Sequence, residues 1–427
     1  MRSILHASRR DLLVSAGLTG AVAGMGLPIP ALAASSSKRR FLFVFAKGGW
    51  DQTWCFAPVF GSDTVDMPED GEAAEVNNIP FVDSASRPIV RSFLERWGPQ
   101  TAFVNGIEIP GIAHDSCTRL ICTGSLVDGT DDWPSILAGN AEDDPILPLV
   151  HLSGPSYAAR YVTSVVRVGS KGQLVELLDG SALAGSDIAV VPPTAFAEER
   201  MDARVAALVS KRAAAAGRGW EKRLFDGAIE AEERLARMKT LGFASSVSEV
   251  SSFQERVDLV LDYLQRGDSR VAMVAYEAWM GVFNGWDTHS ENTLQGPHYD
   301  ELFTVLSAAV ARAAAEPGPE GGSLLDELVI CVFSEMGRFP KINNELGKDH
   351  WTWTSAMLIG SGVRGGQAVG GYDQDCKGRN VDLASGEVTD SGTPLLASNL
   401  GATLLALGDV DPGEFVNEIS PIEALID

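Results

Sequence analysis

Short apolar runs that end in glycine or polar residues recur along the chain and predict a sheet of buried strands. Runs of four to eight apolar residues bounded by turn signals are typical of strands covered on both faces. The clearest runs are residues 41–46, 101–105, 271–276, 328–333 and 356–360. Shorter runs predict further strands at 148–152, 161–168 and 187–191.

Apolar residues at helical spacing separate these runs and predict helices at 89–97, 297–315 and 398–407. Residues 195–267 are rich in Ala, Glu and Arg and predict two or three more helices. Because strands alternate with helices, we expect an α/β fold with a doubly wound sheet. Residues 195–267 would form a helical insertion that packs on the sheet or caps its rim, with too few heptads for a coiled coil.

The first residues indicate an export signal. Ser8-Arg9-Arg10-Asp11-Leu12-Leu13 resembles the twin-arginine consensus, and a weakly apolar Ala/Gly-rich run and a small-residue cleavage site follow it. The apolar run is too short and too rich in glycine for a stable membrane span. We therefore expect a signal peptide over 1–34, a folded domain over 39–427, export by the twin-arginine machinery and a periplasmic location.

Composition and charge limit the classes of partner that we expect for this protein. Apolar residues make up 45% of the chain and charged residues 21%, which is ordinary globular composition with material for a sizeable core. The net charge of -23 argues against nucleic acid and anionic membrane surfaces as partners, and it suits a carboxylate rim that holds cations. The five cysteines form no CxxC pair, so they predict no zinc knuckle and allow one disulfide without indicating which.

Acidic and imidazole side chains follow the predicted strands. In an open parallel sheet, ligands bind beyond the carboxyl ends of the strands, so we expect these side chains to meet at one rim. Imidazole with carboxylate suits zinc, manganese or iron, whereas carboxylates alone favour magnesium or calcium. For any one pair, a surface histidine beside an aspartate is the simpler alternative. The candidates are Asp51, Glu335, His114-Asp115, Asp287-Thr288-His289 and Asp349-His350.

Three other side chains have two interpretations each. Arg338 would either neutralise an oxyanion with two hydrogen bonds or form a salt bridge to a rim carboxylate. His151 ends a short predicted strand and His298 begins a predicted helix, so we expect both to be structural rather than ligands.

Several of these segments together resemble the DUF1501 family of exported bacterial proteins, which is related to the alkaline phosphatase and sulfatase superfamily. The resemblance spans nearly the whole mature chain and implies an alkaline phosphatase-like doubly wound sheet. It also implies two metal ions at the rim that activate a nucleophile and hold a phosphate or sulfate ester. It depends most on residues 41–51, Trp286-Asp287-Thr288-His289, Ser334-Glu335-Met336-Gly337-Arg338 and Asp349-His350-Trp351.

The resemblance implies a ligand set for each metal. Asp51, Glu335 and His114 would bind one ion. Asp287, His289 and His350 would bind the other, and Asp349 would orient a ligand or coordinate directly. The ions would be divalent, with zinc, manganese, calcium and magnesium all open.

The nucleophile position departs from the superfamily. Sulfatases place a Ser, Thr or Cys ten residues before the glycine of a Thr-Gly pair, and counting back from Gly124 gives His114. His114 would then be a ligand, which we favour, or a phosphoacceptor. Alternatively, Ser116 or Cys117 has taken over as nucleophile, or the site no longer hydrolyses esters.

The leading hypothesis is an exported, metal-dependent hydrolase of anionic phosphate or sulfate esters, with carbohydrate-linked esters among the candidates. Metal-activated water would attack, and Arg338 would hold the ester oxygens. The rival is a non-catalytic secreted binding or assembly protein that keeps the fold and a structural metal, which the missing Ser/Thr favours. A redox enzyme suits the export route, but the sequence has no dinucleotide, haem or cluster motif.

Overall fold

The computed structural model describes residues 38–168, 194–240, 252–276 and 285–427. The predicted signal peptide at 1–34 and the predicted strand at 187–191 lie outside these residues. No helix in the described ranges is both long and apolar enough to cross a membrane.

Strands and helices alternate through the described part of the chain. The strands are β1 (Arg40–Ala46), β2 (Gly71–Val76), β3 (Ile79–Ser84), β4 (Thr101–Glu108), β5 (Leu149–His151), β6 (Val165–Arg167), β7 (Val271–Tyr276), β8 (Leu328–Phe333), β9 (Gly337–Arg338), β10 (His350–Trp351), β11 (Trp353–Gly360), β12 (Gln367–Gly370) and β13 (Leu395–Leu396). The helices are α1 (Pro88–Trp97), α2 (His114–Thr123), α3 (Trp133–Gly139), α4 (Ala195–Ala215), α5 (Trp220–Thr240), α6 (Phe253–Gln265), α7 (Gln295–Ala315) and α8 (Ala397–Leu407).

Nine of these strands form one sheet in the order β12-β4-β11-β8-β1-β7-β5-β6, with β13 paired to β4. The central strand β1 pairs in parallel with β7 and β8. Every residue of β1 is buried, as its uninterrupted apolar sequence predicts.

Alternate residues of β1 face two separate cores, because successive side chains of a strand point to opposite faces. Leu42 and Val44 pack in a core that also contains residues of α1, α6 and α7. Phe43 and Phe45 pack in the other core with residues of α2, α3 and α8. Helices therefore cover both faces of the sheet, and the predicted α/β doubly wound architecture is confirmed.

Strand β11 differs from the expected parallel arrangement, because it runs antiparallel to both of its neighbours, β4 and β8. Strand β11 therefore begins at the edge of the sheet where its two neighbours, β4 and β8, end. A second difference is the separate hairpin of β2 and β3, which the apolar pattern did not predict because β2 alternates exposed and half-buried residues.

Three helices, α4, α5 and α6, occupy the described part of 195–267. Helix α6 contributes Val257, Leu261 and Leu264 to one of the two cores, whereas most residues of α4 are exposed. The division into a main domain and an insertion stays a prediction. All five cysteines are buried and free, so the structure contains no disulfide among them.

Candidate metal centre

Five segments bring polar side chains to the carboxyl edge of the sheet. His114 is the first residue of α2, which follows β4, and Glu335 follows β8 directly. Asp287 and His289 lie between β7 and α7. His350 lies in β10, three residues before the start of β11, and reaches this edge because β11 runs antiparallel.

Three imidazoles surround the Asp287 carboxylate. His114 Nε2 lies 3.4 Å from Asp287 Oδ2. His289 Nε2 and His350 Nε2 lie 3.3 Å and 3.4 Å from Asp287 Oδ1 and only 2.9 Å from each other. The ligand atoms of His114, Asp287 and His350 all lie within 4.8 Å of one another. We call the four side chains of His114, His289, His350 and Asp287 the His3Asp cluster.

Each imidazole of the cluster has a fixed acceptor on its other nitrogen. His114 Nδ1 donates to Glu335 Oε1 at 2.8 Å, and His289 Nδ1 donates to Asp349 Oδ1 at 3.2 Å. His350 Nδ1 donates to the carbonyl of Ile112 at 2.5 Å. Because the acceptors offer no proton, the Nδ1 atoms carry the hydrogens and a neutral ring presents an Nε2 lone pair to Asp287.

These lone pairs need a cation between them. His289 Nε2 and His350 Nε2 face each other across 2.9 Å, and a carboxylate oxygen stands beside both. His114 Nε2 is buried and has no hydrogen-bond partner within normal distance. A shared proton or a metal ion resolves this repulsion, and three imidazoles with one carboxylate form a suitable donor set for a transition metal. The residues therefore fit a metal.

The charges of the cluster follow from its contacts. Asp287 and then Glu335, which face the two ring nitrogens, raise the pKa of His114 from 6.5 to about 9. Burial alone would raise the pKa of Asp287, but His114, His350 and Arg338, which face its carboxylate, hold that pKa well below its ordinary value. Without metal, a proton on His114 therefore partly neutralises the cluster.

Glu335 is bonded to His114 and lies outside the His3Asp cluster, whereas the resemblance implied that it binds a metal. Its side chain is 1% exposed, and the Gly48 amide donates to both carboxylate oxygens. Ser334 Oγ donates to Oε2, and His114 Nδ1 occupies Oε1. With its oxygens satisfied in this way, Glu335 orients the His114 ring.

Asp51 lies outside the His3Asp cluster, so the implied set of Asp51, Glu335 and His114 around one ion does not form. Thr53 donates to Asp51 Oδ1 from both its amide and its hydroxyl. Asn292 Nδ2 and Lys348 Nζ each lie 2.8 Å from Oδ2. Asp51 is fully buried, so an ammonium and three other donors balance its charge where we expected a metal.

The side chain of Arg338 is buried among backbone carbonyls and Asp287, which differs from its expected role of holding ester oxygens. The guanidinium is fully buried and donates to the carbonyls of Gly48, Gly49 and Lys348. It also pairs with Asp287 Oδ1 at 2.6 Å. The alternative interpretation, a salt bridge to a rim carboxylate, is the one that the structure shows.

Neither alternative nucleophile forms a hydrogen bond to a residue of the cluster. Ser116 Oγ donates to the carbonyl of Ala113 at 3.0 Å, within the first turn of α2. Cys117 is buried, and burial raises the pKa of its thiol.

His151 and His298 are buried away from the cluster, bonded to Pro155 O and the Tyr276 hydroxyl, respectively. Asp349 is 65% exposed, and its Oδ1 atom lies 3.2 Å from His289 Nδ1.

A cavity of about 600 Å³ opens beside the cluster. Its lining includes His114, Asp287 and Glu335 together with Lys47, which the sequence reasoning missed. The sequence did contain a signal for Lys47, because this residue directly follows the central strand β1 and precedes Gly48. The cavity is also lined by Asp115, which belongs to the candidate pair His114-Asp115, and by four residues that no motif marked: Thr118, Gly154, Pro155 and Tyr157.

The fold and the His3Asp cluster define an α/β protein with a candidate metal centre at the carboxyl edge of a doubly wound sheet. Residues 38–416 match the family described as a protein of unknown function, DUF1501. Because this match covers most of the chain, the protein belongs to the DUF1501 family. No curated protein matches the sequence.

Solved structures similar to this chain include three bacterial proteins. A protein in the alkaline phosphatase superfamily from Vibrio parahaemolyticus is 10% identical, with a TM-score of 0.38 over 88% of this chain and 68% of that chain. The lipoteichoic acid synthase LtaP from Listeria monocytogenes is 10% identical, with a TM-score of 0.42 over 93% and 78%. The phosphonate monoester hydrolase SpPMH from Silicibacter pomeroyi is 12% identical, with a TM-score of 0.37 over 90% and 75%. Likeness at this level carries no argument about activity.

Proposed function

We propose that this protein is a metal-dependent hydrolase of phosphate or sulfate esters with one metal centre, the His3Asp cluster. One observation carries the proposal. Each of three imidazoles donates its Nδ1 hydrogen to a fixed acceptor and turns Nε2 toward the same carboxylate, Asp287. Histidines that bind a metal typically have their rings oriented in this way, by a hydrogen bond from the ring nitrogen that does not face the metal.

The donor set narrows the metal. Three nitrogens and one carboxylate suit zinc, manganese or iron better than calcium or magnesium, which prefer oxygen ligands. A divalent cation bound there would supply Lewis acidity, which lowers the pKa of water and neutralises charge on an ester oxygen.

The chain's own residues would attract and orient an anionic ester. Lys47 brings a positive charge to the cavity lining. Helix α2 begins at the same cavity, and its N-cap residue, Ala113, provides no side-chain cap for the first amides. A helix N-terminus favours negative charge, so these two features take the place of Arg338 as the anion-binding groups.

Water is the proposed nucleophile. The hydroxyl of Ser116 points back to the Ala113 carbonyl, and the Cys117 thiol is buried and protonated. His114 has its Nδ1 atom bound to Glu335, so its Nε2 atom is committed to the cluster. The proposal therefore needs no covalent intermediate on these three side chains.

Metal analysis together with an ester panel tests the proposal. We expect about one transition metal ion per chain, and hydrolysis of an aryl phosphate or aryl sulfate that chelation abolishes and metal restores. Substitutions His350→Ala and Asp287→Ala should remove both metal and activity. His151→Gln, a histidine change at the same edge outside the cluster, should leave the metal content unchanged. Metal-free wild-type protein, or hydrolysis that ignores His350→Ala, would contradict the proposal.

A non-catalytic metal-binding protein is the second candidate. Histidine occupies the slot where sulfatases have a nucleophile, and neither Ser116 nor Cys117 compensates in the structure. This candidate predicts that metal raises the melting temperature while no ester in the panel is hydrolysed. Measuring both quantities on the same sample separates the two candidates.

A further inference from the structure

Helix α4 exposes a stripe of apolar side chains to solvent. Met201, Val205 and Leu208 are 61%, 50% and 53% exposed, although a helix in a folded domain normally buries such a stripe. Helix α5 packs against α4, and Ala213, which lies on a different side of α4 from the stripe, is buried. The described residues of the chain therefore leave this stripe uncovered.

Two opposite charges stand at the ends of the stripe. Glu198 lies three residues before Met201, and Arg212 lies four residues after Leu208. The five positions 198, 201, 205, 208 and 212 repeat with spacings of three and four residues, which places them on one face of the helix. Glu198 and Arg212 are both exposed, and neither forms an ion pair within the described ranges.

The stripe is complementary to itself when it is reversed. Glu198 and Arg212 each lie seven residues, or about two turns, from Val205. In an antiparallel pair centred on Val205, Glu198 of one copy meets Arg212 of the other, and symmetry repeats the contact. Met201 then packs beside the second copy's Leu208. A parallel pair would instead place Glu198 against Glu198 and Arg212 against Arg212.

We infer that α4 is a self-association face, through which two copies of this chain pair antiparallel about a twofold axis at Val205. Isologous interfaces require such self-complementarity. The charge of the chain points the same way: a net charge of -23 opposes contact between most surfaces of two copies, whereas α4 offers matched charges. Because the helix is already formed in each copy, pairing does not incur the cost of helix nucleation.

Few large side chains form the seam, so the dimer should be reversible, with a Kd on the order of micromolar. Sedimentation velocity of the full chain over roughly 1–100 µM should show the shift from monomer to dimer. Glu198→Arg replaces two attractive contacts by two repulsive ones and should weaken the dimer by roughly tenfold or more. The double variant Glu198→Arg/Arg212→Glu reverses both charges and should restore the dimer.

Glu199→Arg is the matched control, because it makes the same charge change one residue along, on a different side of the same helix. It should leave the dimer unchanged, and Val205→Glu should abolish the dimer. Circular dichroism should show unchanged helix content in every variant, since all the positions are exposed. A chain that stays monomeric over this range, or a dimer that ignores Glu198→Arg, overturns the inference. So does a monomer that binds anionic vesicles through the same stripe and loses that binding in Val205→Glu.

Discussion

Carboxylates at the ends of neighbouring strands have different roles in this protein. Asp287 faces three imidazole nitrogens and carries the charge that a metal would need. Glu335 fixes the orientation of His114, and Asp51 is neutralised by Lys348 in the protein interior. The identity of a side chain and its place after a strand do not distinguish these roles, because the partners come from distant segments.

Asp51 and Asp287 should respond differently to the same substitution. Asp287→Asn removes a ligand charge, so we expect the metal content to fall at least tenfold. Asp51→Asn leaves Lys348 buried without its counter-charge and should lower the free energy of unfolding by about 3 kcal/mol, while the metal content stays near the wild-type value. Elemental analysis and urea denaturation measure the two effects. Loss of metal in Asp51→Asn would restore Asp51 to the ligand set.

The metal-free protein should lose stability as the pH rises. The pKa of His114 is raised from 6.5 to about 9, so the folded state binds this proton more tightly than the unfolded state. The resulting stabilisation is complete below about pH 6.5 and is lost as the pH rises through about 9. With chelator present, the free energy of unfolding should fall over this window in the wild type and less in His114→Gln. The same decline in both proteins would assign the effect to other groups.

The sequence was sufficient to predict the members of the cluster, but not their arrangement. His114, Asp287, His289 and His350 each lie near an aspartate or a strand end, and this pattern marked them. The sequence could not predict the fixed acceptors of the imidazoles, because a backbone carbonyl such as that of Ile112 leaves no signal in the sequence. The sequence also does not show which of these residues lie together in space. Our prediction divided them between two metals, whereas the three histidines lie around one carboxylate in the structure.

Strand direction was the main error in predicting the sheet. The limits of β7 and β8 were predicted correctly, since buried runs between turn signals are unambiguous. The apolar pattern of β11 says that both faces are covered but contains no information on direction. Its antiparallel course is nevertheless what brings His350 to the candidate metal centre, three residues before the strand begins.

The segment from β8 to β9 depends on Arg338 as a structural clamp. Three backbone carbonyls and Asp287 accept its hydrogen bonds, and a lysine ammonium cannot reproduce this planar fork. We expect Arg338→Lys to lower the free energy of unfolding by about 2 kcal/mol and to weaken metal binding, because Gly48 and Asp287 both lose a partner. Denaturation and metal titration check this. A variant with normal stability and a raised KM alone would instead support contact with the ester.

Across the chain, the distribution of charge is more informative than its sum. The net charge of -23 led to the exclusion of nucleic acid and anionic membranes, yet the cavity contains Lys47 and the amino end of α2. These local positive features make an anionic ester compatible with an acidic protein, because nearby groups dominate over charges screened beyond about 8 Å at physiological salt. The doubly wound sheet itself followed from composition and apolar pattern, which report burial and not charge.

Export is the last prediction, and it depends on residues 1–34, outside the described part of the chain. We expect the twin-arginine machinery to recognise the residues around Arg9 and Arg10, and lysine keeps their charge but not the guanidinium geometry. We expect Arg9→Lys/Arg10→Lys to leave the protein in the cytoplasm of a bacterial host, as fractionation and immunoblotting would show. Arg2→Lys, outside the consensus, is the matched control and should not change the periplasmic fraction. Unchanged export of the double variant would mean that another signal directs this protein, and the periplasmic location would then need separate evidence.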